Sequence, residues 1–216
     1  FDCDWSSDVC SSDLEMKKIL ISVAAGVLIC AGTSIAQVAK KWGIDKSHAS
    51  VTFSIDHFFS EVPGKFKQFD GDIFFDPANL SGSKASFEIM VASISTDEKD
   101  RDDHLQSSDF FDATNNPMIV FKSSHIVKAS DKLYNIHGEL SMRGVTKSVV
   151  LPMKIKGRMD NPWKEGYEIL GISISTTLNR SDYGVGTGSW AATAVVSDEV
   201  EVKISMELDA PIDPTL

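Results

Sequence analysis

Residues 200–208 read Val-Glu-Val-Lys-Ile-Ser-Met-Glu-Leu, and this stretch decides the fold class. Apolar side chains at Val200, Val202, Ile204, Met206 and Leu208 alternate with charged or small polar ones. A period of two puts each set on one face of an extended strand, with one face toward a core and the other toward water. The alternation recurs at Val51, Phe53 and Ile55, and again at Ala85, Phe87, Ile89 and Val91. It returns at Tyr134, Ile136, Gly138 and Leu140, then at Val149, Leu151, Met153 and Ile155. Pro63-Gly64, Asp76-Pro77, Asn115-Asn116-Pro117, Gly144 and Asn161-Pro162 are the turn signals between runs. About eight or nine short strands at this spacing predict an all-β, antiparallel architecture.

One interval breaks the rhythm, and two other stretches stand apart. Asp97–Phe111 is charged and lacks alternation, and it predicts a short helix with Thr96 as N-cap. Within residues 169–178, Leu170, Ile172 and Ile174 oppose the small side chains of Gly171, Ser173 and Ser175. A face that small admits a close neighbour, either a packed helix or a ligand, and the expectation is that it packs beneath the helix. Pro211-Ile212-Asp213-Pro214 is expected to lie outside the ladder as a frayed tail, because proline lacks the N–H a ladder needs.

The N-terminus has a different logic. Lys17 and Lys18 follow Met16, then an apolar run from Ile19 to Ala31 and the small-residue exit Ser34-Ile35-Ala36. These are the charged, apolar and cleavage regions of a secretory leader, with cleavage expected after Ala36. The apolar run is about thirteen residues, too short to span a bilayer comfortably. Residues 1–15 (FDCDWSSDVCSSDLE) do not fit ahead of a leader and read as sequencing-adapter sequence joined to the gene. Excluding residues 1–36 removes Cys3, Cys10 and Cys30, so the expected exported protein folds without disulfides or thiol chemistry. It also removes two of the 21 basic and five of the 31 acidic residues, leaving a net charge of −7. An acidic chain without a basic cluster argues against nucleic acid as a partner.

The titratable residues assemble no catalytic or metal motif. His48, His57, His104, His125 and His137 show neither HxxxH nor HExxH spacing, and no GxSxG string occurs. Asp97, Asp100, Asp102 and Asp103 lack the glycine and glutamate of a calcium loop and read as a solvated face. His137 alternates in phase with Asn135 and Glu139 and is expected to face solvent. His57 ends a strand, just beyond the Phe53–Ile55 face, where it takes either a functional contact or a structural hydrogen-bond partner. Arg101, Asp102 and His104 read as a network tying the helix to the barrel rim. Arg143 sits in a turn, and Arg180 next to Gly184 and Gly186 either grips a pyrophosphate or pairs with Asp182.

Several longer strings share one resemblance. WGIDKSHASVTFSIDHFF (42–59), RDDHLQSSDFFD (101–112), GELSMRGVTKSVVLP (138–152), LNRSDYGVG (178–186) and DEVEVKISMEL (198–208) resemble, in order, segments of the YceI-like, polyisoprenoid-binding periplasmic proteins. Met142, where a β-branched residue is usual, and Tyr183, where phenylalanine is common, are mild departures. The resemblance implies an eight-stranded antiparallel, lipocalin-like barrel with a short helix near one end, holding a long isoprenoid for carriage or sequestration. Eight strands can enclose one ligand-sized space. The implied tail contacts are Phe53, Ile55, Phe66, Phe87, Ile89, Phe121, Ile136, Leu140, Leu151, Ile172 and Ile174. His57, Arg101, Arg143 and Arg180 are the candidates for the polar head. The lipid is the expected partner, as polyprenyl phosphate or isoprenoid quinone, with transient membrane contact; the sequence leaves a homodimer open. No cofactor, metal or catalytic residue is called for. Two other readings remain at this stage: an enzyme on a lipid-like substrate using His57, and a stress-related scaffold with a solid core.

Overall fold

The computed structural model describes residues 37–192 and 194–212. The expected leader, its cleavage point, the adapter-like segment and all three cysteines lie outside these residues. The strands are β1 (Lys41–His57), β2 (Ser60–Phe66), β3 (Phe69–Phe74), β4 (Lys84–Met90), β5 (Ile94–Ser95), β6 (Met118–Ser130), β7 (Leu133–Met142), β8 (Val145–Asp160), β9 (Tyr167–Asn179) and β10 (Val196–Pro211). One α-helix, α1 (Lys99–Gln106), follows β5. Every neighbouring pair is antiparallel, and the sheet closes where β10 meets β1.

Ten segments fill eight wall positions, because two strands are each broken once. β2 and β3 run one after the other along β1, and β5 continues the line of β4 beside β2. The breaks abut: Met90 N donates to Gln68 O and Lys67 N to Ser93 O, both at 3.0 Å. β1 bulges at the same level, with an irregularity between Ile44 and Ala49. Bulges of this kind sharpen local twist and curvature, so the wall bends across three adjacent positions and the sheet can close.

The alternation read from sequence decides which side chains fill the barrel. Val51, Ile136, Leu151, Met153, Ile172, Met206 and Leu208 are buried, while their neighbours in each strand lean outward. One end is plugged. There Trp42, Phe75, Tyr134, Leu170 and Leu208 are at most 2% exposed. The Trp42 indole donates to Phe75 O at 2.8 Å, and the Phe75 and Tyr134 rings meet edge-on at 5.0 Å. The other end carries α1, loop residues 180–192 and 194–195, and the β1–β2 and β7–β8 hairpins.

Four local expectations need correction. Pro63-Gly64 is no turn but lies inside β2, paired with Ser54 and Phe53. The opposite edge of β2 is paired only at Lys65 and Phe66, so proline's missing N–H falls where no ladder bond is due. The helix is capped by Glu98, whose carboxylate accepts from Arg101 N at 2.8 Å; Thr96 is instead held by Asp102. The small face of β9 lies on the outer wall, with Ser175 exposed, while α1 packs beside β5. Pro211 stays in the ladder as the last residue of β10, opposite Tyr167, since a terminal position needs no donor.

Candidate functional site

Inside the barrel, between the plug and α1, lie two adjoining voids of about 140 Å³ and 130 Å³ that present no polar surface. Phe53, Phe66, Ile119, Met142, Leu178 and Val202 line both, so the two share a wall of movable side chains. An apolar space of this size holds no stable water, because a water inside it would find no hydrogen-bond partner.

Glycines keep this space open. A Cβ at Gly64 would fall 2.2 Å from the Phe53 ring, one at Gly71 2.7 Å from the Phe87 ring, and one at Gly138 2.7 Å from the Phe121 ring. Each ring therefore lies flat along the wall, over a neighbouring strand's bare backbone, instead of crossing the lumen. Phe53 and Gly64 are direct cross-strand partners, as are Phe87 and Gly71.

Ten of the eleven apolar residues named from sequence line the larger void: Phe53, Phe66, Phe87, Ile89, Phe121, Ile136, Leu140, Leu151, Ile172 and Ile174. Ile55 lines the smaller one with Leu105, Phe110, Tyr183 and Val185. The lining also includes Val51, Ile73, Ile119, Met142, Met153, Leu178, Val202, Ile204 and Met206. Most of these belong to the alternating runs and could have been found by extending each run. Met142 extends the Tyr134–Leu140 run by one step, whereas Ile73 and Ile119 lie outside the runs read from sequence.

The four polar candidates separate. His57 is exposed at the end of β1, edge-on to Phe58 at 4.8 Å, and borders neither void. Arg101 is spent on Thr96, donating to its Oγ1 at 2.7 Å and its carbonyl at 3.0 Å. Arg143 donates to Ser108 O at 2.6 Å and ties a hairpin to the loop after α1. Arg180 alone reaches the cavity, on the wall of the smaller void.

Arg180 is 5% exposed and donates to the carbonyls of Ser197, Val185 and Val196 at 2.8, 2.9 and 2.9 Å. Asp182 pairs with Lys147, and among the described residues no carboxylate lies within 4 Å of Arg180. Burial lowers the Arg180 pKa below its usual value, partly offset by the charge of Asp198. Burial also raises the neighbouring Tyr183 phenol, with a smaller contribution from Asp182. A guanidinium stays charged even so. Arg180 thus lines the smaller void without presenting its charge to it: the guanidinium is turned to three carbonyls behind the apolar wall, with Asp198 the acid whose charge it feels.

The remaining ionisable groups sit outside the cavity. His137 lies on the outer wall, half-buried and stacked on His125 at 4.4 Å. Asp45, His48 and Glu207 converge at the β1 bulge, where Asp45 also accepts from the backbone and hydroxyl of Ser47. Those bonds, with the one to His48, hold the Asp45 carboxyl well below its usual range and make the cluster a clasp for the bulge.

The sequence matches the family described as YceI-like domain over residues 42–208. The chain belongs to this family. It is 36% identical to Protein YceI of Shigella flexneri over 196 residues, covering 89% of this chain and 97% of the relative. Burkholderia cenocepacia BcnA superposes with a TM-score of 0.68 at 29% identity, covering 77% of this chain and 99% of BcnA. A domain from Saccharophagus degradans, described as polyisoprenoid binding and implicated in plant cell wall breakdown, superposes with a TM-score of 0.61 at 13% identity. It covers 81% of this chain and all of that domain, a likeness of fold alone. The YceI-like barrel is therefore the shared architecture, and the broken strands and α1 are parts of it in this chain.

Proposed function

We propose that this YceI-like protein is an exported, periplasmic carrier that holds the apolar chain of an isoprenoid lipid inside its barrel. The observation that carries the reading is the pair of adjoining voids without polar surface. A dry hydrocarbon-lined space matches a saturated or polyprenyl chain and rejects polar metabolites, which would lose their hydrogen bonds with water on entry. The S. degradans domain of the same fold is described as polyisoprenoid binding, which supports this ligand class. Export rests on the leader read at residues 16–36.

Rotation of Phe53, Phe66 and Met142, which line both voids, merges them into a longer channel. The head then sits at the Arg180 end, where an oxygen-rich group, a phosphate or a quinone carbonyl, meets the guanidinium once Arg180 turns from its carbonyl partners toward the lumen. Burying each methylene stabilises the complex by about 0.8 kcal/mol relative to water. A bilayer offers the same, so transfer between membrane and protein is close to balanced and the head contact sets its direction.

The test is mass spectrometry of lipid extracted from exported protein purified without detergent, beside an Ala85→Phe variant. Ala85 lines the larger void, and a phenyl group there fills it. The expected result is near-stoichiometric isoprenoid in the wild type and its loss in the variant, with the variant still folded. A wild-type protein that emerges empty and refuses added isoprenoid would sink the reading.

A further inference from the structure

The β1–β2 hairpin departs from the turn chemistry its geometry asks for. His57 pairs with Ser60, so Phe58 and Phe59 are the two loop residues. Two-residue hairpins place glycine or asparagine where φ is positive. The β7–β8 hairpin follows this only at its second position, with Gly144 at φ 74, while Arg143 before it stands at φ 49. Phe58 instead holds φ 53, a region where a bulky side chain is an outlier. Phe58 is 58% exposed and Phe59 fully exposed. Two large apolar side chains thus stand in water, one on strained backbone, and neither adds to the core. Strain retained where it does not help folding points to function.

The position of the hairpin says which function. Phe58 N donates to Val195 O at 2.9 Å, and both the next residue, Val196, and Ile55 line the Arg180-side void. The aromatic tip therefore projects from the cavity end of the barrel. We infer that Phe58 and Phe59 form a docking tip that seats this end on the surface of a bilayer with neutral head groups. The inference rests on the lipid-carrier reading, since a carrier must meet the membrane in which its cargo dissolves.

Size and charge select this occupant. Two phenylalanines offer roughly 300–500 Å², well short of the approximately 1,200 Å² of a stable protein interface. Rings entering the boundary between head groups and acyl chains need no matching partner surface. Asp56 and Glu61 flank the tip in register, and Asp198 and Glu199 share the hollow beside Phe58. An acidic collar is repelled by anionic lipid, so neutral head groups are preferred. Trp163, 88% exposed in the β8–β9 loop, serves as the contrast: it lies outside both voids, in a turn where its backbone N–H donates to Asn161 Oδ1 at 2.9 Å.

The experiment is flotation of the protein with phosphatidylcholine vesicles, with and without added phosphatidylglycerol. Wild type is compared with Phe58→Gly/Phe59→Ser, Phe59→Ser alone and Trp163→Ser. A second arm loads each protein with dansyl-farnesol from ethanol in the absence of vesicles. The expected result is flotation on phosphatidylcholine, weakened by phosphatidylglycerol, at least about tenfold poorer in the double variant and unchanged in Trp163→Ser. Phe59→Ser leaves the strained backbone alone and still loses most of the binding. Equal loading from ethanol shows that the cavity is intact. Equal flotation of the double variant and wild type, or no flotation of wild type, overturns the docking tip. Self-association of wild type that disappears in the double variant also overturns it, in favour of a second copy as occupant. Failure of every protein to load from ethanol refutes the carrier reading and leaves flotation to judge the tip.

Discussion

At one end of the barrel, Trp42, Phe75, Tyr134, Leu170 and Leu208 fill the lumen and are at most 2% exposed. At the other, Phe53, Phe66, Phe87 and Phe121 are equally large rings, yet they border open space. The difference is what each ring faces across the wall. Rings at the plugged end meet other side chains and cross the lumen, as Phe75 and Tyr134 do edge-on. Phe53, Phe87 and Phe121 lie over Gly64, Gly71 and Gly138, and the missing Cβ atoms let them lie back against the sheet. Aromatic content alone therefore says little about whether a barrel is solid. The residues opposite the rings decide it.

The contrast should appear first in core truncations. Trp42→Ala is expected to lose about 3–5 kcal/mol, since it opens a cavity in packed surroundings and removes a buried hydrogen bond. Phe53→Ala should lose only about 1–2 kcal/mol, because it enlarges a void that already exists, while weakening lipid retention more than Trp42→Ala does. Chemical denaturation midpoints of the two variants check this. Comparable losses would mean that both ends are packed alike.

A smaller effect tests the polar belt of the plugged end. Glu168 is 5% exposed, accepts from Arg158 Nη2 at 2.9 Å and from its Nε, and pairs with Lys40. Burial raises its pKa, but the bonds from Arg158 and Lys40 outweigh that and leave it below the usual value. A carboxyl depressed in the folded state adds stability above its unfolded pKa, and that contribution fades as pH falls through the folded value. Glu168→Gln is therefore expected to cost about 2 kcal/mol at neutral pH, less than a fully buried pair because Arg158 is half-exposed. The gap to wild type should close in acid, below about pH 4. Denaturation series at both pH values measure it, and a gap independent of pH would remove the ion pair from the account.

The smallest expected change has the opposite sign. Phe58→Gly should raise stability by about 1 kcal/mol by relieving the positive φ, whereas glycine substitutions elsewhere in the strands should lower it. A neutral or negative result in equilibrium unfolding would mean that Phe58 is held by contacts rather than strained.

Much of the barrel was legible before the structure, because strand alternation is a local signal with a fixed period. Residues such as Ile136, Leu151 and Ile172 declare their inward face through their immediate neighbours. The polar candidates were less legible. The sequence places Arg101 in a helix, Arg143 in a turn and Arg180 beside glycines without saying which reaches the cavity; two are bound to loop oxygens away from it and one lines it. Their roles depend on loops that approach from distant parts of the chain, and no local pattern encodes such approaches. Pro63-Gly64 misled for a related reason: it reads as a turn, but a nearly unpaired strand edge tolerates it.

By itself, the sequence determined the antiparallel class, the inward set of each strand and the family, since period, turn residues and ordered motifs act through near neighbours. Only the tertiary structure decided that ten segments close as eight positions, that rings over cross-strand glycines leave a cavity, that Arg180 lines one end of it, and that Phe58 and Phe59 project there. Those outcomes depend on which residues of distant strands face one another, and that register exists only once the sheet has closed.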